Sequence, residues 1–200
     1  FQLTYRSRVH GRAEAHLNCC ELLGRPDHRA RSPCLRCGPV AVRSAGLLLH
    51  RRRGGQIQVL LVHPGGPFWA RKDAGAWSIP KGELDPEEDP LGAALREFAE
   101  ELGYPAPQTD PTPLGDVRQR GGKVVTAWAV EGDLDVTSIV SNTITIEWPR
   151  GSGRQITFPE VDRAQWFDLP TAREKLLDGQ RLFLDTLAQV LDARSGADPD

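Results

Sequence analysis

Glu97, Glu100 and Glu101 stand at i, i+3 and i+4 in the segment LGAALREFAEELG, residues 91–103. On a helix that spacing gathers three carboxylates on one face, where like charges destabilise the bare helix by about a few tenths of a kcal/mol per pair. A hard divalent cation relieves the repulsion. Mg²⁺ prefers oxygen ligands and is commonly shared between one or two carboxylates and the phosphates of a substrate, so the pattern reads as the seat of a metal–phosphate complex. Acids close to a helix C-terminus oppose the macrodipole, which argues against a purely stabilising role; a solvated acidic face is the plainer alternative. Arg96 lies four residues before Glu100, and its planar fork can orient two carboxylates at once, while also serving as an ion pair that closes a loop onto the helix.

The elements that must hold these groups follow from periodicity. Leu91, Leu95, Phe98 and Leu102 fall within about 60° of one another on a helical wheel, a stripe for burial against a sheet, and the three acids centre roughly 140° away. Pro90 precedes the first turn and Gly103 stands where a left-handed cap would end the helix. Upstream, SAGLLLH (44–50) and QIQVLLVH (56–63) read as a hairpin joined by RRRGG. A loop rich in Gly, Pro and aromatics (64–75), a short strand AWSIP (76–80) and a turn-rich acidic segment GELDPEEDP (82–90) lead into the helix. Further strands are expected at 113–119, 123–131, 142–148 and 163–168, and the tail TAREKLLDGQRLFLDTLAQVLDA reads as helix, Gly break, helix. Strands and helices mix without βα alternation, which predicts an α+β layered sheet and not a doubly wound one.

Written out, Gly82, five residues, Glu88, seven residues and then Arg96-Glu97-Phe98-Ala99-Glu100-Glu101-Leu102-Gly103-Tyr104 resembles, at every position, the Nudix box of the MutT-like Nudix hydrolase superfamily. Seven fixed residues and two apolar positions coincide by chance on the order of 10⁻⁹ per starting point. The resemblance implies an α/β/α sandwich with a mixed sheet, in which the box forms a loop–helix–loop. It implies that Glu97, Glu100 and Glu101 bind Mg²⁺ or Mn²⁺, joined by the main-chain carbonyl of Lys81, that Arg96 holds the catalytic Glu97, and that Glu88 braces Arg96. It also implies hydrolysis of a nucleoside diphosphate linked to another group, with water attacking phosphorus. Glu97 or a nearby acid would take the proton, and Glu147 or Glu160, outside the box, is the candidate for an extra ligand or base.

Outside the box, residues 63–83 and 158–176 resemble the bacterial branch related to diadenosine polyphosphate hydrolases, which makes diadenosine tetraphosphate the leading substrate expectation, cleaved asymmetrically to ATP and AMP. ADP-ribose, oxidised dNTPs, inositol pyrophosphates and capped RNA 5′ ends are rivals, and a non-catalytic nucleotide-sensing module is the reading from another class. Arg71, Lys72 and Lys81 supply cations suited to a polyphosphate chain. Phe68 and Trp69, in the Gly/Pro-rich loop, are candidate faces for stacking a base, whereas Trp77 and Trp128 sit in apolar runs and read as core. His63 reads as a strand-end histidine, with a phosphate contact as the alternative, and Tyr104 as a helix-end anchor.

With 39% apolar and 26% charged residues, five Trp and six Phe, the 200-residue chain has the composition of a folded domain. Residues 1–39 carry seven arginines against Glu14, Glu21 and Asp27, leaving 18 basic and 24 acidic residues for the rest. The body therefore lacks the basic excess of a DNA-binding surface. We expect a basic, poorly ordered or non-native extension over 1–39 and one domain over 40–195. The chain contains no Met, and we expect translation to begin near Val40 or Val42, a GTG codon read as valine. No apolar run spans a membrane and the first residues lack the core of a secretory signal. Cys19, Cys20, Cys34 and Cys37 all precede the body, which fits a reducing, cytoplasmic location. Cys34 and Cys37 resemble half of a zinc ribbon, but the adjacent Cys19–Cys20 has the wrong spacing for the other half.

Overall fold

The structure is a computed structural model that describes residues 42–195; the extension expected over 1–39, with its four cysteines, lies outside the described residues. Strands β1 (Arg43–Arg53) and β2 (Gln56–Pro64) form the expected hairpin, with His50 opposite Val59. Both are apolar over long runs because both faces are covered, so neither shows the in–out alternation of a sheet exposed on one side. Leu47, Leu49, Leu60 and Val62 face one layer, and Leu48, Val59 and Leu61 the other.

Next come β3 (Lys81–Glu83), α1 (Pro90–Leu102), β4 (Thr112–Arg118) and β5 (Val124–Glu131). These are followed by β6 (Thr143–Glu147), β7 (Gln155–Pro159), β8 (Val161–Asp168), α2 (Leu169–Lys175) and α3 (Arg181–Ser195). The main sheet runs β4-β5-β1-β2-β8, with β3 on β1; β1 and β5 are parallel and the other pairings antiparallel. Helix α1 covers one face through Ala93, Ala94, Phe98 and Leu102, and α3 the other through Phe183, Leu184 and Leu187. This is the α+β layered arrangement that the segment pattern predicts, with the mixed sheet that the resemblance implies. No described helix is long and apolar enough to cross a membrane.

Helix α1 begins where the sequence indicates, with Asp89 accepting from the Gly92 amide at 2.9 Å, and ends at Gly103 with φ +77°. Its buried arc is rotated by roughly 60° from the leucine stripe toward the acids, because Ala93 and Ala94 let the helix sit close to the sheet. Leu91 and Leu95 are only half-buried, and Glu101 is carried inside.

Two segments differ from expectation. The strand expected at 76–80 makes only isolated bridges, Ser78 to Val62 and Trp77 to Leu176; Pro80 has no N–H to give, and the Ile79 amide donates to Gln180 Oε1 at 3.0 Å. Ladder pairing resumes at Lys81–Glu83, so the first two residues of the expected acidic turn are strand. Strand β7 is an addition: the single strand expected at 142–148 is one arm of a hairpin whose strands pair only with each other.

Candidate active site

The box folds as strand, loop and helix, and one guanidinium organises it. Arg96 donates from Nε and Nη2 to the two oxygens of Glu88, both at 2.8 Å, and from Nη1 to Glu97 Oε1 at 2.7 Å and Glu100 Oε2 at 3.4 Å. Nη2 also reaches the Glu83 carbonyl at 3.4 Å, tying the loop to the end of β3. Hydrogen bonding to Arg96 holds the Glu88 carboxyl below its ordinary range, and Glu88 in turn raises the guanidinium.

Behind this fork the acids enter the protein. The Glu97 side chain is 13% exposed, and burial raises its carboxyl against the opposing pull of Arg96. Glu101 is 5% exposed and accepts from the Lys81 amide at 3.2 Å; burial pushes it well above its usual range, with Lys81 opposing and Glu160 and Glu97 adding to the rise. Glu100, 44% exposed, remains at the rim. Glu97 lies so close over Gly82 that a Cβ there would sit 1.8 Å from its carboxyl carbon, so a side chain at this position would displace the Glu97 carboxyl.

Glu160 completes the group. It follows β7 directly, its amide donates to the Asn142 carbonyl at 2.7 Å and its carbonyl accepts from Gly65 at 2.8 Å. Burial raises its carboxyl, with Lys81 opposing and Glu100 adding. Of the two acids expected as an extra ligand or base, Glu160 is the one whose charge acts on Glu97 and Glu101. Glu147 does not: it is exposed at the end of β6, accepts from the Gly153 amide across the hairpin turn, and makes no hydrogen bond or ion pair with the box. The reason is topological, since β6 stands off the main sheet and its odd-numbered residues face outward.

The expected substrate residues divide. Lys81 lies between Glu101 and Glu160 electrostatically. Phe68 packs edge-on against Trp148 with centroids 4.3 Å apart, and Lys72 Nζ lies 4.6 Å over the Trp69 ring. Arg71 is exposed and has no partner among the described residues. Trp77 is core as expected, Trp128 is half-buried against the α1 layer, and Tyr104 anchors the helix end by donating to Ser138 Oγ at 2.8 Å. His63 is fully buried and contacts Asp162 and the Lys72 carbonyl. Lys123 is a residue the sequence reading missed. Its ammonium lies 3.5 Å from Glu83 Oε1, and burial followed by Lys81 lowers it while Glu83 and Glu97 oppose. Its signal was the GGK turn just before β5, which acquires meaning only once β5 is known to lie parallel beside β1.

The donor set is four carboxylates, three of them raised by burial, with Lys81, Arg96 and Lys123 as the cations that these groups feel. Hard oxygen ligands in excess of local positive charge suit Mg²⁺ or Mn²⁺. Among the described residues, no three acidic or imidazole side chains are gathered closely enough to enclose an ion in their present rotamers, because Arg96 draws Glu97 and Glu100 to one side while Glu101 turns to the Lys81 amide.

The chain is 28% identical over 138 residues to an octanoyltransferase of Myxococcus xanthus, covering 69% of this chain and 34% of that protein. It is 39% identical over 62 residues to an asymmetrical bis(5'-nucleosyl)-tetraphosphatase of Caenorhabditis elegans, covering 31% and 41%. The chain thus spans between a third and a half of the length of these curated relatives. Its fold matches the crystal structure of a C. elegans Ap4A hydrolase binary complex with a TM-score of 0.53, at 23% identity, covering 76% of this chain and 99% of that one. The NUDIX domain model matches residues 41–187, a span that contains β1 through the first half of α3 and every acid of the site, and the chain belongs to the NUDIX domain family.

Proposed function

We propose that the protein is a divalent-metal-dependent pyrophosphohydrolase that cleaves a phosphoanhydride bond in a nucleoside polyphosphate, with diadenosine tetraphosphate as its leading substrate. The observation that carries the reading is the burial of Glu97 and Glu101 against the Lys81–Gly82 backbone, with the charge of Glu160 acting on both and a fork that orients Glu97. A stabilising role alone does not account for three carboxylates driven up by desolvation.

Glu97, Glu100, Glu101 and the Lys81 carbonyl would hold Mg²⁺ or Mn²⁺, with Glu160 as the further ligand or base. The bound ion supplies charge neutralisation of phosphate oxygens and a lowered pKa for water. Arg96 keeps Glu97 aimed at the reacting water, and Glu88 keeps Arg96 in place. Glu97 takes the proton as the water oxygen bonds to phosphorus and the bridging P–O bond breaks, the departing phosphate keeping its electron pair. Lys81 and Lys123 offset charge along the phosphates. Phe68 and Trp69 offer faces to a base, and Arg71 and Lys72 lie on the same loop for the distal phosphates. The similarity to the tetraphosphatase supports this substrate class, and a body without cysteine suits a cytoplasmic compartment.

Nucleotide release with Mg²⁺ across a panel of dinucleoside polyphosphates, ADP-ribose and dNTPs tests the reading. Glu97→Gln is expected to lower turnover by about two orders of magnitude or more. A wild-type chain that binds these nucleotides without releasing product would make it a sensor.

A further inference from the structure

Residues 65–75 carry Phe68, Trp69, Arg71 and Lys72, and they are held by fixed bonds at both ends. Gly65 donates to the Glu160 carbonyl at 2.8 Å and Gly75 to the Glu174 carbonyl at 3.0 Å. Trp77 Nε1 donates to Asp73 at 2.9 Å, and Lys175 pairs with the same carboxylate. Inside the loop, Ala70 donates to Gly66 and Lys72 to Trp69.

One side chain crosses from the sheet to this loop. His63, on β2 and 0% exposed, sets Nδ1 2.7 Å from Asp162 Oδ1 on β8 and Nε2 2.9 Å from the Lys72 carbonyl, with its ring edge-on to Trp77 at 5.2 Å. Burial of an imidazole is costly unless its nitrogens are satisfied; here both are, and by different segments. The Asp162 carboxyl and the Lys72 carbonyl each present an oxygen to one ring nitrogen, so the two segments are held by opposite edges of one ring. An apolar residue would fill the same space but join nothing. Asp162 stands two residues after Glu160, so the imidazole joins the loop to the strand entry that carries the fourth acid of the site.

We propose that His63 is a positioning residue for substrate: by bridging Asp162 and Lys72 it fixes the loop bearing Phe68, Trp69, Arg71 and Lys72 relative to Glu160. The proposal rests on the hydrolase reading for its kinetic consequence, though not for its structural one. A loop that sets ground-state contacts acts on KM, whereas the box acts on kcat.

The test uses the full chain. His63→Phe keeps a ring against Trp77 and removes both bonds, and Asp162→Asn weakens one. For diadenosine tetraphosphate with Mg²⁺, His63→Phe is expected to raise KM about tenfold or more with kcat within about twofold, and adding Asp162→Asn to it should cost little more. Independently of turnover, hydrogen exchange at the Trp69, Ala70 and Lys72 amides should accelerate about tenfold, with α1 and β1 amides unchanged. Unaltered exchange at those amides, or kcat falling in step with KM, overturns the proposal. If His63→Phe does not fold, Asp162→Asn alone must speed exchange in the loop, and unchanged protection there is decisive against it. If the wild type hydrolyses no nucleotide, the hydrolase reading fails while the exchange measurements still decide whether His63 holds the loop.

Discussion

The carboxyl group of Glu97 occupies the space that any side chain at Gly82 would need, with its carbon 1.8 Å from the position of a Cβ. The strand and the helix of the box are therefore fitted together through that carboxyl, which must move if residue 82 gains a side chain. Gly82→Ala is expected to push Glu97 off Arg96 and lower turnover by about tenfold or more, at a stability cost of about 1–3 kcal/mol for overpacking. Turnover compared with the urea midpoint checks this; normal activity with only a stability loss would show that Glu97 has room to move without consequence.

Glu160 and Glu147 offer a paired comparison, since they stand at the root and at the turn end of the same hairpin and only Glu160 acts on the charges of the box. Glu160→Gln should reduce kcat by about one to two orders of magnitude, and Glu147→Gln should leave it within about twofold. Equal losses in the two variants would contradict the assignment of Glu160.

His50 provides a pH dependence away from the acids. It is 3% exposed with Nδ1 unpartnered, and burial lowers it from its ordinary 6.5, Arg194 and Arg52 adding to the effect and Glu131 opposing. The folded chain then binds this proton more weakly than the unfolded one, so the contribution of His50 is present above about pH 6.5 and is lost as pH falls toward the lowered folded value. Buried glutamates with raised values change stability in the opposite direction, so the difference between wild type and variant is what isolates the histidine. Unfolding free energies from about pH 7.5 to 5 should fall more steeply for the wild type than for His50→Leu; parallel curves would show that the proton is not excluded.

Gln180 stands in for a missing strand partner. It is fully buried, accepts from Ile79 N at 3.0 Å and donates to Ser78 Oγ at 3.0 Å, holding the segment that leads into Lys81 and Gly82. Gln180→Ala leaves the Ile79 amide buried without its acceptor and is expected to cost about 1–3 kcal/mol. Chemical denaturation measures it.

Much of the site was legible because the box is local. Pro90 and Gly103 mark the helix ends through chain chemistry alone, and Arg96 reaches Glu97 and Glu100 along one helix surface. Glu88 and Arg96 could likewise be paired through a family pattern. What stayed hidden depended on long-range packing. The partial burial of Glu97 and the burial of Glu101 follow from the closeness that Ala93 and Ala94 allow, which a wheel centred on leucines does not reveal. Lys123 enters the site through the parallel pairing of β1 with β5, a choice of partner that no periodicity records. The segment 76–80 has strand composition, but Pro80 and Gln180 replace ladder bonds with a proline gap and a side-chain acceptor. Residues 155–159 alternate in the same way as 143–147, yet the Gly/Ser-rich turn between them conceals that they pair.

The β6–β7 arm shares no ladder with the main sheet, yet its root is bonded to the last turns of α1: Asn142 donates to the Glu100 carbonyl and Val140 to that of Leu102. Such an appendage can change length or tip sequence without disturbing the register of any main-sheet strand, while its stem stays pinned beside the acids. Diversification among homologues, or grafting in the laboratory, has in this arm a place to change the surroundings of the acids and leave the box and the main sheet as they are.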